Sequence, residues 1–472
     1  MLERTFPDQN ILSPEDEDKI HEGTLEVLQE SGVKILSDKA REKFAEAGIE
    51  VSGNCVYPDD KDLEKYLSMA PEKFEIKARN RDNNITLGGD NTVLVPGYGS
   101  PFVLEYGKHE RRDSTLADFE NFTRLTHWSD NQDVVGGTMV EPNDVREDLR
   151  HAKIFEASVK LSDKCLMGSA LGSKKAQECL DMAAIVFQSE KFVEDNVVLL
   201  NLISTNSPLF IDDKMSDAIL TYAENKQAMC IASVCMTGTT SPATIPATLV
   251  EQNAEILTGI LLAQIVNPGT PVVYGSASSV VDLRRADLAL GSPETAKMFN
   301  ATAQMARRYG IPSRGGGTLT DSLFPDAQAG YEAMLNMVSG TFGGFNLNFH
   351  AAGLLENYMS MSFEKFIIDD EICGIVKNYM SGLEVTEENL GVDVINEVGP
   401  GGNFIQHEHT YRHMKDLRQP SISSREKYFS DKDQLQAVGR AHEKCQDILE
   451  NFSPPTLPDS IEKELEEYIG EL

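Results

Sequence analysis

The strongest constraint on the fold of this chain is a pattern that occurs eight times. A short apolar run ends in small or polar residues and is followed by a helical pattern, with runs beginning at 93, 134, 165, 197, 229, 272, 311 and 344. They read VLVPGYGSPF, VVGGTMVEP, CLMGSALGS, VVLLNLISTNSPL, MCIASVCMTGTTSP, VVYGSASSVVD, IPSRGGGTLTD and GFNLNFHAAGLLE. Successive starts lie 31 to 43 residues apart. Alternation with helices points to parallel strands joined by helical crossovers and buried on both faces. Eight units over about 250 residues predict a (β/α)8 TIM barrel, an α/β fold with its chemistry at the carboxyl ends of its strands. An open doubly wound sheet fits the same local pattern, but eight evenly spaced units favour closure.

The flanks read differently. Residues 1–92 are polar and helical, with Ser13-Pro14-Glu15-Asp16 as a helix start, further helices from Ser37 and Asp59, and then a hairpin around Gly88-Gly89-Asp90-Asn91. Residues 93–362 form the predicted barrel, and 363–472 a helical C-terminal subdomain of the kind that often covers a barrel mouth. Its last two helices are expected from Lys432 to Asn451 and from Ser460 to Leu472.

A net charge of −32 argues against nucleic acid or an anionic membrane as partner. Seven scattered cysteines form no disulfide framework or CxxC knot, and Cys230 and Cys235 are expected on opposite faces of one strand. With no signal-peptide pattern at the start and no apolar run long enough to span a bilayer, a cytoplasmic location is expected.

The stretch from Ile311 to Glu356 concentrates the candidate chemistry. It reads as strand, glycine-rich loop, a helix over Asp326–Phe342, and a strand that delivers His350 at its end. The Gly315-Gly316-Gly317 run sits where many barrels hold phosphate, but no Lys or Arg follows closely, so a tight backbone turn fits better. His407, His409 and His413 give HxHxxxH without the carboxylate pattern of an open metal site, and they are expected to be structural or interfacial. No metal site is predicted. The strand ends gather Tyr98, Phe102, Thr205, Asn206, Thr237, Tyr274, Ser276, Thr318, Gln328 and Phe349. Aromatic faces with few cations suit a quaternary ammonium, which binds by cation–π attraction.

Several long segments carry a family resemblance. STNSPLFIDD, MTGTTSPATIPATLVEQNAEILTGILLAQIVNPGTPVVYGS, PDAQAGYEAM, FHAAGLLENYMSMSFEKFIID and VGPGGNFIQHEHTYRH occur in the order found in the trimethylamine methyltransferase (MttB-type) superfamily, which the chain resembles. The resemblance implies a barrel enzyme that moves a methyl group from an amine to the cobalt of a separate corrinoid protein, with no cofactor held tightly by the enzyme itself. Founding members use pyrrolysine, and this sequence contains only standard residues. Relatives lacking pyrrolysine are similar to methyltransferases for glycine betaine, proline betaine, carnitine and γ-butyrobetaine. A quaternary ammonium has no lone pair for pyrrolysine to engage, and its charge already makes a neutral tertiary amine leave.

The resulting expectation is a homo-oligomeric betaine methyltransferase working with a corrinoid protein. His350, Gln328 and Glu332 are its catalytic polar lining. Tyr98, Phe102, Tyr274, Ser276, Thr318 and Phe349 are its substrate-binding residues. Rival readings are a betaine-binding or structural protein of a corrinoid complex, and a phosphosugar aldolase or isomerase. No lysine ends a strand to form a Schiff base (Lys164 precedes the third), which weakens the aldolase version.

Overall fold

The computed structural model describes residues 2–425 and 436–472. Eight parallel strands carry the fold: β1 (Asn91–Leu94), β2 (Val134–Gly136), β3 (Cys165–Met167), β4 (Leu199–Ser204), β5 (Ala228–Ser233), β6 (Val272–Ser276), β7 (Ser313–Gly315) and β8 (Leu347–Asn348). Pairing runs in sequence order from β2 to β8 and then to β1. The last gap is bridged where Asp133 N donates to Leu94 O at 2.8 Å and Asp133 Oδ2 accepts from Leu94 N at 2.9 Å. The ring is a nearly closed (β/α)8 barrel.

The main outer helices after the strands are α1 (Leu116–Trp128), α2 (Arg150–Leu161), α3 (Ser173–Phe187), α4 (Asp213–Glu224), α5 (Ile245–Val266), α6 (Pro293–Arg308), α7 (Ala327–Gly343) and α8 (Phe363–Met380), and a further short helix, Glu190–Asp195, follows α3. The α7 helix begins where Asp326 accepts from Ala329 N, as the sequence led one to expect. Strand β5 shows why the runs are continuously apolar. Ala228, Cys230 and Ala232 face the barrel interior, while Met229 and Ile231 pack under the helices. Helix α5 is apolar and long enough to cross a bilayer, yet 78% of its most apolar window is buried against the protein. Its composition therefore reflects packing between the barrel and the N-terminal extension.

The expected N-terminal helices form as Pro14–Glu30, Asp38–Glu46 and Asp60–Leu67, each with its predicted cap, and the first packs along α5. The predicted hairpin is corrected. Ile85–Gly88 pairs antiparallel with Lys73–Ile76, whereas Asn91–Leu94 leaves to become β1. The turn was read correctly, but its two arms belong to different sheets. Ile76, Ala78, Ile85 and Leu87 then pack against Val93, Cys165, Leu200, Ala228 and Leu347, closing the amino-terminal end of the barrel.

The C-terminal helices do not cover the mouth. Ala437–Glu450 packs against α8 and α1, and Asp459–Glu471 against α2 and α3, so both wrap the outer wall. The predicted start of the first of these, at Lys432, lies outside the described residues. The Gly315–Gly317 run serves close approach of chains. A Cβ on Gly317, at φ +101°, would lie 2.0 Å from Phe349 O, and one on Gly315 would strike the Phe345 ring.

Candidate active site

Inward-facing residues alternate along the strands, and on β7 the inward position is Arg314, which is 1% exposed. Its Nη1 donates to Ser276 O at 2.8 Å, and its Nη2 lies 3.0 Å from His350 Nε2. The guanidinium carbon sits 4.8 Å from the centre of the Phe349 ring, and Nε has no partner. Among the described residues no carboxylate forms an ion pair with Arg314. A buried charge without a counter-ion is costly, and an anion from outside the chain would relieve that cost.

His350 follows β8 in the left-handed region at φ +63°. Arginine can only donate, so Nε2 of His350 must accept and the ring proton resides on Nδ1. Burial, reinforced by the adjacent Arg314 charge, pushes the imidazole well below its ordinary value, so the ring is neutral. Its Nδ1 is buried and unpartnered. The Tyr358 ring lies 4.8 Å away, and its hydroxyl is also buried without a partner. Burial pushes that phenol up to about 12, so it too is a donor. Three unsatisfied polar atoms, on Arg314, His350 and Tyr358, thus cluster within the barrel mouth.

The loop carrying Tyr358 is held in an unusual conformation. Glu356, Asn357 and Tyr358 all have positive φ, and none is glycine. It is tied down on several sides: Glu356 N donates to Ser322 O at 2.9 Å, Asn357 Nδ2 to Leu288 O at 3.0 Å, and Ser100 Oγ to Tyr358 O at 2.8 Å. Loops after β1, β6 and β7 together fix it.

Tyr98 stands edge-on to Phe349 at 5.7 Å and forms one wall of a cavity of about 350 Å³. Gly137, Thr138, Met167 and Ser169 line it, and Glu141 faces Arg150 across it at 3.5 Å. This volume lies in the range of small-ligand sites. A larger cavity, about 810 Å³, lies between α3 and the last helix, outside the barrel and away from the strand ends.

Of the sequence-predicted residues, Tyr98, Phe349 and His350 therefore meet at the mouth. Thr318 supports them, donating from Oγ1 to His350 O at 3.2 Å. Tyr274 and Ser276 are corrected: both side chains turn outward, donating to Asn253 Oδ1 at 2.9 Å and to Gln252 Oε1 at 2.8 Å, on α5. Only the carbonyl of Ser276 reaches the site. Gln328 and Glu332 are corrected as well. Gln328 donates to Glu332 at 2.9 Å, and Glu332 accepts from Thr320 Oγ1 at 2.6 Å and Asp321 N at 2.9 Å, so the pair braces the β7–α7 loop. Phe102 lies on the rim under the Arg111 guanidinium, 4.2 Å from its ring centre.

A second polar group lies behind the ends of β4 and β5. Cys235, which follows β5 rather than lying on it, brings its thiol within 4.8 Å of carboxylate oxygens of Glu251 and Glu255. Glu255 already accepts from Thr205 Oγ1 (2.6 Å), Ser233 Oγ (2.8 Å), Leu209 N (2.8 Å) and Ser207 Oγ (3.1 Å). Its oxygens are satisfied without a cation. Burial and the Glu255 charge push Glu251 up to about 7.

With this geometry in place, comparison with known proteins is informative. The family model described as "Trimethylamine methyltransferase (MTTB)" matches residues 1–471. The chain belongs to this family. A glycine betaine methyltransferase of Desulfitobacterium hafniense (strain Y51) is 44% identical over 468 residues, covering 99% of this chain and 98% of the relative. The proline betaine:corrinoid methyltransferase of Eubacterium limosum is 30% identical over 417 residues, covering 86% and 84%. The trimethylamine methyltransferase MttB of Methanosarcina thermophila is also 30% identical, covering 97% and 96%. The crystal structure of the Methanosarcina barkeri monomethylamine methyltransferase shares the fold, with a TM-score of 0.53 at 13% identity over 93% of this chain and 89% of that one. Within the family this chain stands with the members that lack pyrrolysine.

Proposed function

We propose that this MTTB-family methyltransferase demethylates a betaine, a quaternary ammonium that also bears a carboxylate, and passes the methyl group to a corrinoid protein. The observation that carries this reading is Arg314, a fully buried guanidinium with no carboxylate partner, set against Phe349 and beside the neutral donor His350. A betaine carboxylate would pair with Arg314 and accept from His350 Nδ1 and the Tyr358 hydroxyl. Its ammonium end would lie toward Tyr98 and the Phe349 face. The names of the betaine-specific relatives agree.

The corrinoid, carried by the partner protein, supplies the cobalt nucleophile. The chemistry of the mouth fits an external acceptor, because its own residues are poor ones. The His350 Nε2 lone pair is taken by Arg314, the Tyr358 phenol stays protonated, and burial holds the Cys230 thiol at about 12. As the C–N bond breaks, its electron pair stays on nitrogen and a neutral tertiary amine departs. The chain's contribution is to bind, orient and dehydrate the cation so that one methyl faces the opening. In this reading the catalytic unit, expected over residues 93–362, runs on through α8 to Met380, the chain holds no corrinoid tightly, and it works as a cytoplasmic homo-oligomer. Seven free cysteines suit a reducing compartment.

The test is methylation of a reduced corrinoid protein with glycine betaine, proline betaine, carnitine, choline and trimethylamine, using wild type and Arg314→Met. Wild type should use a betaine and reject choline and trimethylamine, which lack the carboxylate. Arg314→Met should lose betaine turnover by roughly 100-fold or more in kcat/KM. Equal turnover by the variant would remove Arg314 from the site, and turnover of trimethylamine alone would overturn the betaine assignment.

A further inference from the structure

The segment after α8 is unlike the rest of the molecule. Three short helices, Glu387–Leu390, Val392–Val398 and Glu408–His413, contain no buried residue at all. Leu383 is 92% exposed and Ile405 77% exposed. A segment with so little apolar burial has no core to hold its helices together, and small units of this kind commonly use a cross-link or a metal.

The histidine motif sits at that place. His409 and His413, one turn apart on the third helix, bring their rings to 4.3 Å between centres. Both Nε2 atoms are shielded from solvent and have no hydrogen-bond partner. His413 Nδ1 lies 2.7 Å from Asp416 Oδ2, which fixes the proton on Nδ1 and leaves the Nε2 lone pair free. A carboxylate behind the far ring nitrogen is the usual support of a metal-binding histidine. From the first helix, Glu388 brings Oε1 to 4.0 Å from His413 Nε2. Arg412 shares that oxygen at 3.5 Å, but its side chain is more than half exposed and is free to turn to solvent. His407 is occupied otherwise: its Nδ1 accepts from His409 N at 3.1 Å and its Nε2 faces Glu397.

The three donor atoms do not all lie within 4.8 Å of one another in this arrangement; we propose that a divalent cation of the zinc class draws His409, His413 and Glu388 together, pinning helix 387–390 to helix 408–413 and so folding the arm between residues 383 and 417. Two borderline imidazole nitrogens and one carboxylate oxygen make a donor set that suits zinc, with water completing the tetrahedron. From sequence alone HxHxxxH is expected to be structural or interfacial, because no open-site carboxylate pattern accompanies it. The missing carboxylate comes from 21 residues before His409, on a different helix. The proposal does not depend on the betaine reading, and the Cys235 cluster is its natural competitor for a metal.

The experiment uses untagged full-length protein stripped with a chelator, titrated calorimetrically with zinc chloride and followed by absorption with cobalt(II). Wild type and Cys235→Ser should each bind one equivalent per chain, with a cobalt spectrum free of thiolate charge transfer. The double variant H409A/H413A should bind roughly 100-fold more weakly. Zinc should also protect residues 383–417 of wild type, and not of the double variant, from limited proteolysis. His409 and His413 lie outside the barrel, so circular dichroism of H409A/H413A should be near wild type. Undiminished binding by H409A/H413A, loss of binding in Cys235→Ser, or no zinc uptake by wild type would each overturn the proposal.

Discussion

Among the described residues, Arg314 on β7 and Lys365 on α8 are cations no more than 1% exposed, and they have opposite circumstances. Lys365, on α8, pairs with Asp369 one turn later and donates to Thr318 O at 3.2 Å, while the other Asp369 oxygen accepts from Gly353 N at 2.8 Å. Every charge in that joint has its counterpart within the chain. Arg314 has a carbonyl, an imidazole and an aromatic face, and among the described residues no acid. A buried charge is therefore a mark of function here only where its partner is missing. The Lys365–Asp369 joint fixes the β8–α8 loop, and Arg314 uses the stage that the joint provides.

The comparison breaks most severely at the joint. Lys365→Met strands Asp369 without its cation and should cost about 3–5 kcal/mol of stability, read as a fall in urea midpoint. Lys365→Met/Asp369→Leu should recover most of that loss, since removing both charges removes the penalty. If the double variant is as unstable as the single, the pair is not the source of the effect.

Next in size is His350. His350→Ala removes the acceptor for Arg314 and the proposed Nδ1 donor, and should lower kcat/KM for the betaine roughly 10- to 100-fold with little change in melting temperature. Because burial keeps this imidazole neutral, the wild-type pH–rate profile should show no histidine break between about pH 6 and 8. A break in that window that vanishes in His350→Ala would show that the ring titrates. Tyr358→Phe deletes one unpartnered hydroxyl and should raise KM by about tenfold while leaving stability within about 1 kcal/mol.

The smallest effect concerns Glu251, a buried acid without a cation. Its folded value is raised above the unfolded one, so its contribution to stability is intact below about pH 4 and is lost as pH rises through about 7. Glu251→Gln should therefore raise the melting temperature more at pH 8 than at pH 5, by the equivalent of about 1 kcal/mol after allowance for solvent screening. An equal gain at both values would assign the effect to packing.

The barrel was legible because burial on both faces leaves an unmistakable trace: eight apolar runs that end in small polar residues. His350 was legible for a related reason, as a polar ring at the end of such a run. Arg314 was not, since an arginine before three glycines reads as a loop residue, and only the pairing of β7 with β6 and β8 shows that it points inward. Tyr274 failed on parity. In β6 the inward residues are Val273 and Gly275, so Tyr274 and Ser276 face α5, and a one-residue error in register exchanges the two sets. Strands of three residues in the N-terminal extension, such as Val33–Ile35 and Cys55–Tyr57, are too short to show a period.

The sheet of Lys73–Ile76 and Ile85–Gly88 that seals the barrel floor has a consequence for kinetics. On the proposed reaction, with the floor closed, amine and product would exchange through the mouth, where an acceptor protein would also present its cobalt. A docked partner corks the vessel. Substrate then has to enter before the partner arrives, and the demethylated amine has to wait until it leaves. Turnover would then be an ordered queue at one door, and excess partner protein should slow the reaction by trapping the empty enzyme.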